Sequence, residues 1–186
     1  MRELSLHILD LIQNSIEAGA RTVVLDINED DAGYFVFKIS DNGRGMSEEL
    51  LRNIRDPFVT TRTTRKVGMG IPFIDMSTAQ SGGKLTITSC LHEGTEIEAT
   101  FLKDHLDRPP LGDIVATLKV LLVGNPELHF IMHYGVGQSF FELDSVELKK
   151  MLGKELDFGF PEVYLWLDEY LRQEIAKVRN EQEARQ

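Results

Sequence analysis

An aspartate and two glycines follow directly on a predicted β-strand, in the stretch Ser40-Asp41-Asn42-Gly43-Arg44-Gly45-Met46. A carboxylate fixed at the end of a strand can accept a hydrogen bond from an exocyclic amine, and adenine carries one. Glycine lets the backbone turn tightly and leaves room for a flat ligand beside it. The same pattern also occurs in ordinary hairpin turns. The stretch therefore indicates either an adenine site or a plain turn, and its neighbours must decide between them.

Asp10 and Asn14 are four residues apart in a segment with helical periodicity, so their side chains project from one face of a helix. A carboxylate and an amide oxygen are hard ligands of the kind that Mg²⁺ prefers. The alternative is that both side chains solvate the outer face of a surface helix. The pair is a candidate magnesium site only if other nucleotide-binding features accompany it.

A third group lies between residues 56 and 71, in the sequences DPFVTTR (56–62) and GMGI (68–71). Gly68 and Gly70 expose backbone N–H groups where a helix is predicted to begin, which suits phosphate oxygens. Thr60, Thr61 and Arg62 offer hydroxyl and guanidinium donors for a terminal phosphate, with a solvated surface loop as the alternative. Neither the P-loop motif nor a complete dinucleotide fingerprint occurs in the chain.

Apolar periodicity and turn residues predict the elements that must position these groups. Helices are predicted over 2–18, 48–53, 71–80, 113–123, 145–152 and 162–179. Strands are predicted over 22–27, 34–40, 84–90, 95–101, 128–134 and 138–143, the last two joined around residues 135–137. Residues 104–112 contain two prolines and resemble a linker. The apolar stripe of the last helix is predicted to be core, with a homodimer or partner interface as the alternative.

Composition limits the classes of function. The 186 residues carry a formal net charge of -10, which argues against broad binding of nucleic acids or anionic membranes. The single cysteine excludes an internal disulfide and a cysteine-rich metal site. No apolar run reaches the roughly 18 residues that span a bilayer, and the polar residues near the N-terminus argue against a signal peptide. We expect a soluble, cytoplasmic protein.

Four separately spaced motifs together make residues 1 to about 101 resemble the ATPase superfamily of gyrases, certain chaperones, histidine kinases and mismatch-repair proteins (GHKL). The resemblance implies that Asn14 holds the magnesium that bridges the nucleotide phosphates. Asp10 stands where the mismatch-repair branch has a glutamate that activates water, one methylene longer. Asp41 would anchor adenine, and Thr95, in the Gly94-Thr95 pair, would support it from the adjacent strand. The nucleotide-binding residues implied are Asn14, Asp41, Gly43, Gly45, Met46, Thr60, Thr61, Arg62, Gly68, Met69, Gly70, Ile71 and Thr95.

The fold implied is α+β, a two-layer sandwich of the Bergerat type with a mixed sheet and helices on one face. We predict an ATP-binding domain over 1–105 and a small α+β domain of unknown role over 106–186. ATP and Mg²⁺ are the expected ligands. The residues after 106 match no family that could identify their role.

Three functions are consistent with the sequence. The first is a stand-alone kinase-like regulator, expected to lack a phosphoacceptor domain of its own, that transfers the γ-phosphate to a separate protein. The resemblance of residues 56–71 to a histidine-kinase segment favours it. The second is a slow ATPase that uses Asp10 to activate water. The third is a non-catalytic ATP sensor that acts through the C-terminal region. The kinase-like regulator is the preferred hypothesis, with a phosphoacceptor protein as partner and a homodimer left open.

Overall fold

In a computed structural model the protein is described over residues 3–56, 70–153 and 157–184. Within these ranges helices and strands follow one another in the predicted order. The helices are α1 (Leu4–Glu17), α2 (Glu48–Asn53), α3 (Gly70–Gln80), α4 (Ile114–Gly124), α5 (Ser145–Leu152) and α6 (Pro161–Glu183). The strands are β1 (Thr22–Glu29), β2 (Tyr34–Asp41), β3 (Lys84–Cys90), β4 (Gly94–Leu102), β5 (His129–Val136) and β6 (Ser139–Asp144).

The six strands form one mixed sheet in the order β3-β4-β2-β1-β5-β6. β1 and β5 are parallel, and the other neighbouring pairs are antiparallel. Asp41, the last residue of β2, lies opposite Thr95 near the start of β4. The predicted adenine anchor and its predicted supporting residue are therefore neighbours across two strands.

Helices cover one face of the sheet. Alternate residues of β1 are buried, namely Val23, Leu25 and Ile27, whereas the residues between them are partly exposed. β2, β4 and β5 alternate in the same way. A sheet with one packed face and one solvated face alternates like this. The α+β two-layer sandwich predicted from the sequence is confirmed.

The C-terminal residues extend the same sheet. β5 pairs with β1 over eight residues, from Thr22–His129 to Glu29–Val136. α6 packs on β5, β6 and α4, and it contributes Leu167 and Leu171 to the common hydrophobic core. That residues 106–186 form a domain of their own stays a prediction. Because these residues share one sheet with the N-terminal part, an unfolding experiment that distinguishes one transition from two would test it.

Several element boundaries differ from the prediction by one to four residues, and two of these differences lie in the C-terminal residues. The β5–β6 turn is formed by residues 137 and 138, because Val136 pairs with Ser139 and Gly137 has a φ of 57°, as two-residue hairpins require. α6 continues to Glu183, and its last turn is anchored because the Gln182 side chain accepts a hydrogen bond from the Gln138 backbone N–H. Among the described residues, no helix combines the length and the apolar character needed to cross a membrane.

Candidate nucleotide-binding site

The Asp41 carboxylate is held by two hydrogen bonds, one to each oxygen. The Ser15 hydroxyl donates to Oδ2 at 2.6 Å, and the Gly43 backbone N–H donates to Oδ1 at 2.8 Å. Ser15 is only 4% exposed, so its bond to the carboxylate is shielded from water. A carboxylate oxygen can accept more than one hydrogen bond. Asp41 is therefore fixed in orientation and still able to accept a bond from a ligand.

Glycines are required around Asp41 because backbone segments approach one another closely. A Cβ on Gly94, whose φ is 115°, would lie 1.9 Å from the Asp41 carbonyl oxygen. A Cβ on Gly45, whose φ is 63°, would lie 1.9 Å from the Cys90 carbonyl oxygen. Only glycine tolerates both the positive φ and the short distance. Gly94 is thus as demanding a position as Gly45.

Ser89 connects the Asp41 loop (residues 41–46) to β4. Its hydroxyl accepts a hydrogen bond from the Met46 N–H at 2.9 Å and donates to the Gly94 carbonyl at 2.9 Å. The same hydroxyl lies 2.9 Å from the Thr95 hydroxyl. Thr95 lies opposite Asp41, and its hydroxyl interacts with Ser89, so a direct support of Asp41 by Thr95 stays a prediction. Met46 is positioned through its backbone.

Asp10 and Asn14 of α1 lie beside the first residue of α3. A Cβ on Gly70 would be 2.1 Å from Asp10 Oδ2 and 3.9 Å from Asn14 Nδ2. The candidate magnesium ligands and the start of the predicted phosphate-binding helix are therefore brought together. Ile71, predicted to contact the nucleotide, is partly buried and packs against the hydrophobic core.

Five of the predicted nucleotide-binding residues fall outside the described residues: Thr60, Thr61, Arg62, Gly68 and Met69. Their roles stay predictions. The last basic residue before this segment, Arg55, donates a hydrogen bond to the Leu85 carbonyl of β3 at 2.7 Å and lies 3.7 Å from Asp75. Arg55 thus links the chain just after α2 to β3, the strand at one edge of the sheet.

Two residues at this site were not predicted. Ser15 lies on the buried side of α1, one helical turn after the core residues Leu11 and Ile12. A polar residue within the mostly apolar buried stripe of α1 was the signal that could have identified it, although Ser5 and His7 carry the same signal. Ser89 carried no comparable signal, because serines on half-exposed strands are common.

His7 is a further buried polar residue of α1, three residues before Asp10. It is 3% exposed, and its Nδ1 has no hydrogen-bond partner among the described residues. Burial lowers the pKa of His7, since the charged imidazolium is poorly solvated there. The imidazole is therefore neutral at neutral pH. The part of the chain that the structure describes contains no group of three or more histidine, cysteine or acidic side chains able to hold a metal ion by themselves.

Comparison with known proteins identifies the family to which residues 2–105 belong. The family described as "Histidine kinase-, DNA gyrase B-, and HSP90-like ATPase" matches residues 2–105. Sporulation kinase D of Bacillus subtilis is 32% identical over 97 residues, which are 50% of this chain and 18% of that kinase. The C4-dicarboxylate transport sensor protein DctB of Pseudomonas aeruginosa is 30% identical over 99 residues, or 50% of this chain and 16% of that sensor. The chain thus spans less than a fifth of the length of these two relatives.

A solved structure shares the fold at low sequence identity. It is the N-terminal domain of a DNA repair protein, with a TM-score of 0.56 and 14% identity, covering 77% of this chain and 52% of that one. The family match extends over more than half of the chain and includes α1, the Asp41 loop, α3 and β4. The chain belongs to the histidine kinase-, DNA gyrase B- and HSP90-like ATPase family and contains its ATP-binding domain.

Proposed function

We propose that the protein is a regulatory module that binds Mg²⁺-ATP and passes the γ-phosphoryl group to a separate protein. The observation that carries the proposal is the Asp41 carboxylate, held by Ser15 and Gly43 at the end of β2. A fixed acceptor at this point suits the exocyclic amine of adenine. The kinase names of the curated relatives favour phosphoryl transfer over simple binding.

The residues near the start of α3 fit a magnesium ion. Asn14 contributes an amide oxygen and Asp10 a carboxylate on the same helix face, the hard donors that Mg²⁺ takes together with water and phosphate oxygens. A magnesium ion held by these residues would supply positive charge that neutralises phosphate charge. Asn14 is the residue we assign to hold it, and Gly70 leaves the room that this arrangement needs.

Slow ATP hydrolysis is the second candidate function, and the position of Asp10 favours it. Its carboxylate lies against the first residue of α3, where backbone N–H groups suit a terminal phosphate. A carboxylate there could accept a proton from an attacking water, although it is one methylene shorter than the glutamate of the mismatch-repair branch. A nucleotide sensor without chemistry is the third candidate, and it requires only Asp41 and Asn14.

Incubation with γ-labelled ATP and Mg²⁺ distinguishes the three functions. Label on an added acceptor protein supports phosphoryl transfer, labelled free phosphate supports hydrolysis, and binding without release of label supports the sensor. Asp10→Asn should abolish hydrolysis while retaining ATP binding, because it removes the proton acceptor but keeps a side-chain oxygen and leaves Asn14 in place. Asn14→Ala and Asp41→Asn should reduce all three signals, because they remove magnesium and adenine contacts.

A further inference from the structure

The two edges of the sheet differ in how they are covered. β3 forms one edge, where the Arg55 side chain donates to the Leu85 carbonyl and α2 contacts the strand. β6 forms the other edge, and no strand of the described chain pairs with its outer side. An edge strand with free backbone groups is a template for a further strand. We propose that β6 pairs with β6 of a second copy of this chain, so that two copies share one continuous sheet.

Phe140 and Glu142 carry the free backbone groups of this edge. The His129 N–H donates to the Arg21 carbonyl just before β1, so every second residue of β5, including His133, directs its backbone groups towards β1. Glu142 lies opposite His133 and therefore directs its own N–H and C=O away from β5, as does Phe140 two residues earlier. Within the described residues these four groups have no hydrogen-bond partner.

A two-fold axis beside Phe141 would satisfy all of these groups. Phe140 of one copy would then lie opposite Glu142 of the other, and each such pair would exchange two backbone hydrogen bonds. The two pairs give four bonds, with the two Phe141 residues facing each other between them. Most protein dimers have this two-fold symmetry, in which the same surface of both copies meets. The edge of β6 is thus complementary to itself.

Other registers of the two strands fit less well. An axis beside Glu142 would set two glutamates opposite each other, and an axis beside Leu143 would set Glu142 opposite Asp144. Like charges directly opposite each other destabilise a pair of strands. An axis beside Phe140 would need the backbone of Gln138, whose N–H already donates to the last turn of α6. The charges and the turn therefore select the register centred on Phe141.

The acidic side chains of β6 do not guard this edge as free charges. Glu142 lies 3.4 Å from His133 Nε2, and Asp144 lies 3.0 Å from His129 Nε2. Both histidines belong to β5, so both carboxylates interact with the neighbouring strand of their own chain. An incoming strand would not need to supply a partner for either carboxylate.

Aromatic side chains flank the open edge on both faces of the sheet. On the helix-covered face the Phe141 ring lies 6.0 Å from the Tyr170 ring, and Tyr170 stacks on the exposed Trp166 at 5.1 Å. On the other face Phe140 is 75% exposed. Pairing about Phe141 would bring the two aromatic rows side by side and cover Phe140. Tryptophan and tyrosine are enriched among the residues that dominate binding at protein interfaces.

The position of α6 leaves room for this pairing. α6 packs on both β5 and β6, so it lies over the boundary between them. With a strand spacing of about 4.8 Å, each α6 would lie about 5 Å from the two-fold axis and about 10 Å from α6 of the other copy. Helices pack against each other at about 8–10 Å. The helix layer would therefore also be continuous across the dimer, with Trp166 and Tyr170 at the seam.

Sedimentation velocity of the full chain without nucleotide tests the proposal. A short edge gives a small interface, so a weak monomer–dimer equilibrium should appear between about 10 and 500 µM. Emission of Trp166, the single tryptophan, should move to shorter wavelength over the same range. Because β2 with Asp41 lies three strands away from β6, loss of ATP binding through Asp41→Asn should leave this equilibrium unchanged.

Charge variants at the edge have a matched control. Phe140→Glu sets like charges opposite each other and should weaken dimerisation at least about tenfold. Phe140→Lys faces Glu142 of the other copy and should dimerise more tightly than Phe140→Glu. Leu106 is 96% exposed and follows β4, four strands away from β6. Leu106→Glu and Leu106→Lys change net charge equally and should both dimerise like the wild type.

Disulfide crosslinking reads the register. In a Cys90→Ser background, an oxidised mixture of Phe140→Cys and Glu142→Cys should form crosslinked dimers, because directly opposed residues lie about 5.5 Å apart between Cα atoms. Either variant alone should not crosslink, since diagonal neighbours lie about 7–8 Å apart.

The proposal is overturned if the chain remains monomeric up to about 500 µM, which would leave the edge to a strand of another protein. Dimerisation of Phe140→Glu as tight as that of the wild type would also overturn it, because the dimer would then form through another surface. Crosslinking of Phe140→Cys alone or Glu142→Cys alone would contradict the axis beside Phe141.

Discussion

Replacement of Gly94 by alanine should disrupt the Asp41 site through the backbone alone. The new Cβ would lie 1.9 Å from the Asp41 carbonyl oxygen, and ordinary contacts begin at 3.4 Å, so β2 and β4 must separate by about 1.5 Å there. Gly33 is the matched control, because its φ is also positive, at 90°, yet a Cβ on it meets nothing within 4 Å. The two substitutions share backbone strain and differ in the clash.

The expected magnitudes follow from this difference. Positive-φ strain costs about 1–3 kcal/mol at either position. Gly94→Ala should additionally break about two backbone hydrogen bonds between β2 and β4, or roughly 2 kcal/mol of unfolding free energy. Gly94→Ala should also lower ATP affinity, because movement of the Asp41 backbone moves its carboxylate.

Urea unfolding followed by circular dichroism measures the first effect, and calorimetric titration with Mg²⁺-ATP measures the second. Gly33→Ala should bind ATP like the wild type. Equal losses of stability in the two variants would refute the reasoning, as would unchanged ATP affinity in Gly94→Ala.

Three further outcomes are expected. Ser15→Ala removes the 2.6 Å hydrogen bond to Asp41 and should lower the free energy of unfolding, measured in urea titrations, by about 1.5–3 kcal/mol. It should also weaken ATP binding measured by calorimetry. An unchanged ATP affinity would count against a positioning role for Ser15. Gly70→Ala should displace the Asp10 side chain and slow any release of labelled phosphate from γ-labelled ATP. Stability should change little, because the clash is with the end of a flexible side chain. An unchanged rate of phosphate release would show that Asp10 has no role in the reaction. The pKa of His7 is lowered in the folded protein, so the unfolded chain binds a proton more readily, and the stability of the wild type should fall as the pH drops below about 6.5. His7→Leu should lose less stability than the wild type between about pH 7.5 and 5.5. An identical loss in both proteins would contradict this prediction.

Local pattern predicted the elements well, because each helix and strand carries its own periodicity. α1 buries Leu4, Ile8, Leu11 and Ile12 as their helical spacing requires. The pairing of β5 with β1 could not be predicted in the same way. The two strands are far apart in sequence, and their alternation does not specify a neighbour.

The sequence suggested candidate ligand-facing residues, and it did not suggest the residues that support them. Asp41 and Asn14 could be chosen because their side-chain chemistry suits adenine and magnesium. Ser15 acts by holding Asp41, and that role depends on the packing of α1 against β2. Gly94 is needed because of one short backbone distance, which no local pattern encodes.

The central claim is that Asp41 recognises adenine. Binding of Mg²⁺-ATP and Mg²⁺-GTP to the wild type and to Asp41→Asn, measured by calorimetric titration, tests it most directly. The wild type should prefer ATP, because the carboxylate accepts from the adenine amine and repels the guanine carbonyl. Asp41→Asn should weaken ATP binding at least about tenfold, or about 1.4 kcal/mol, and should reduce the preference over GTP. Equal affinity of the wild type and Asp41→Asn for ATP would contradict the account.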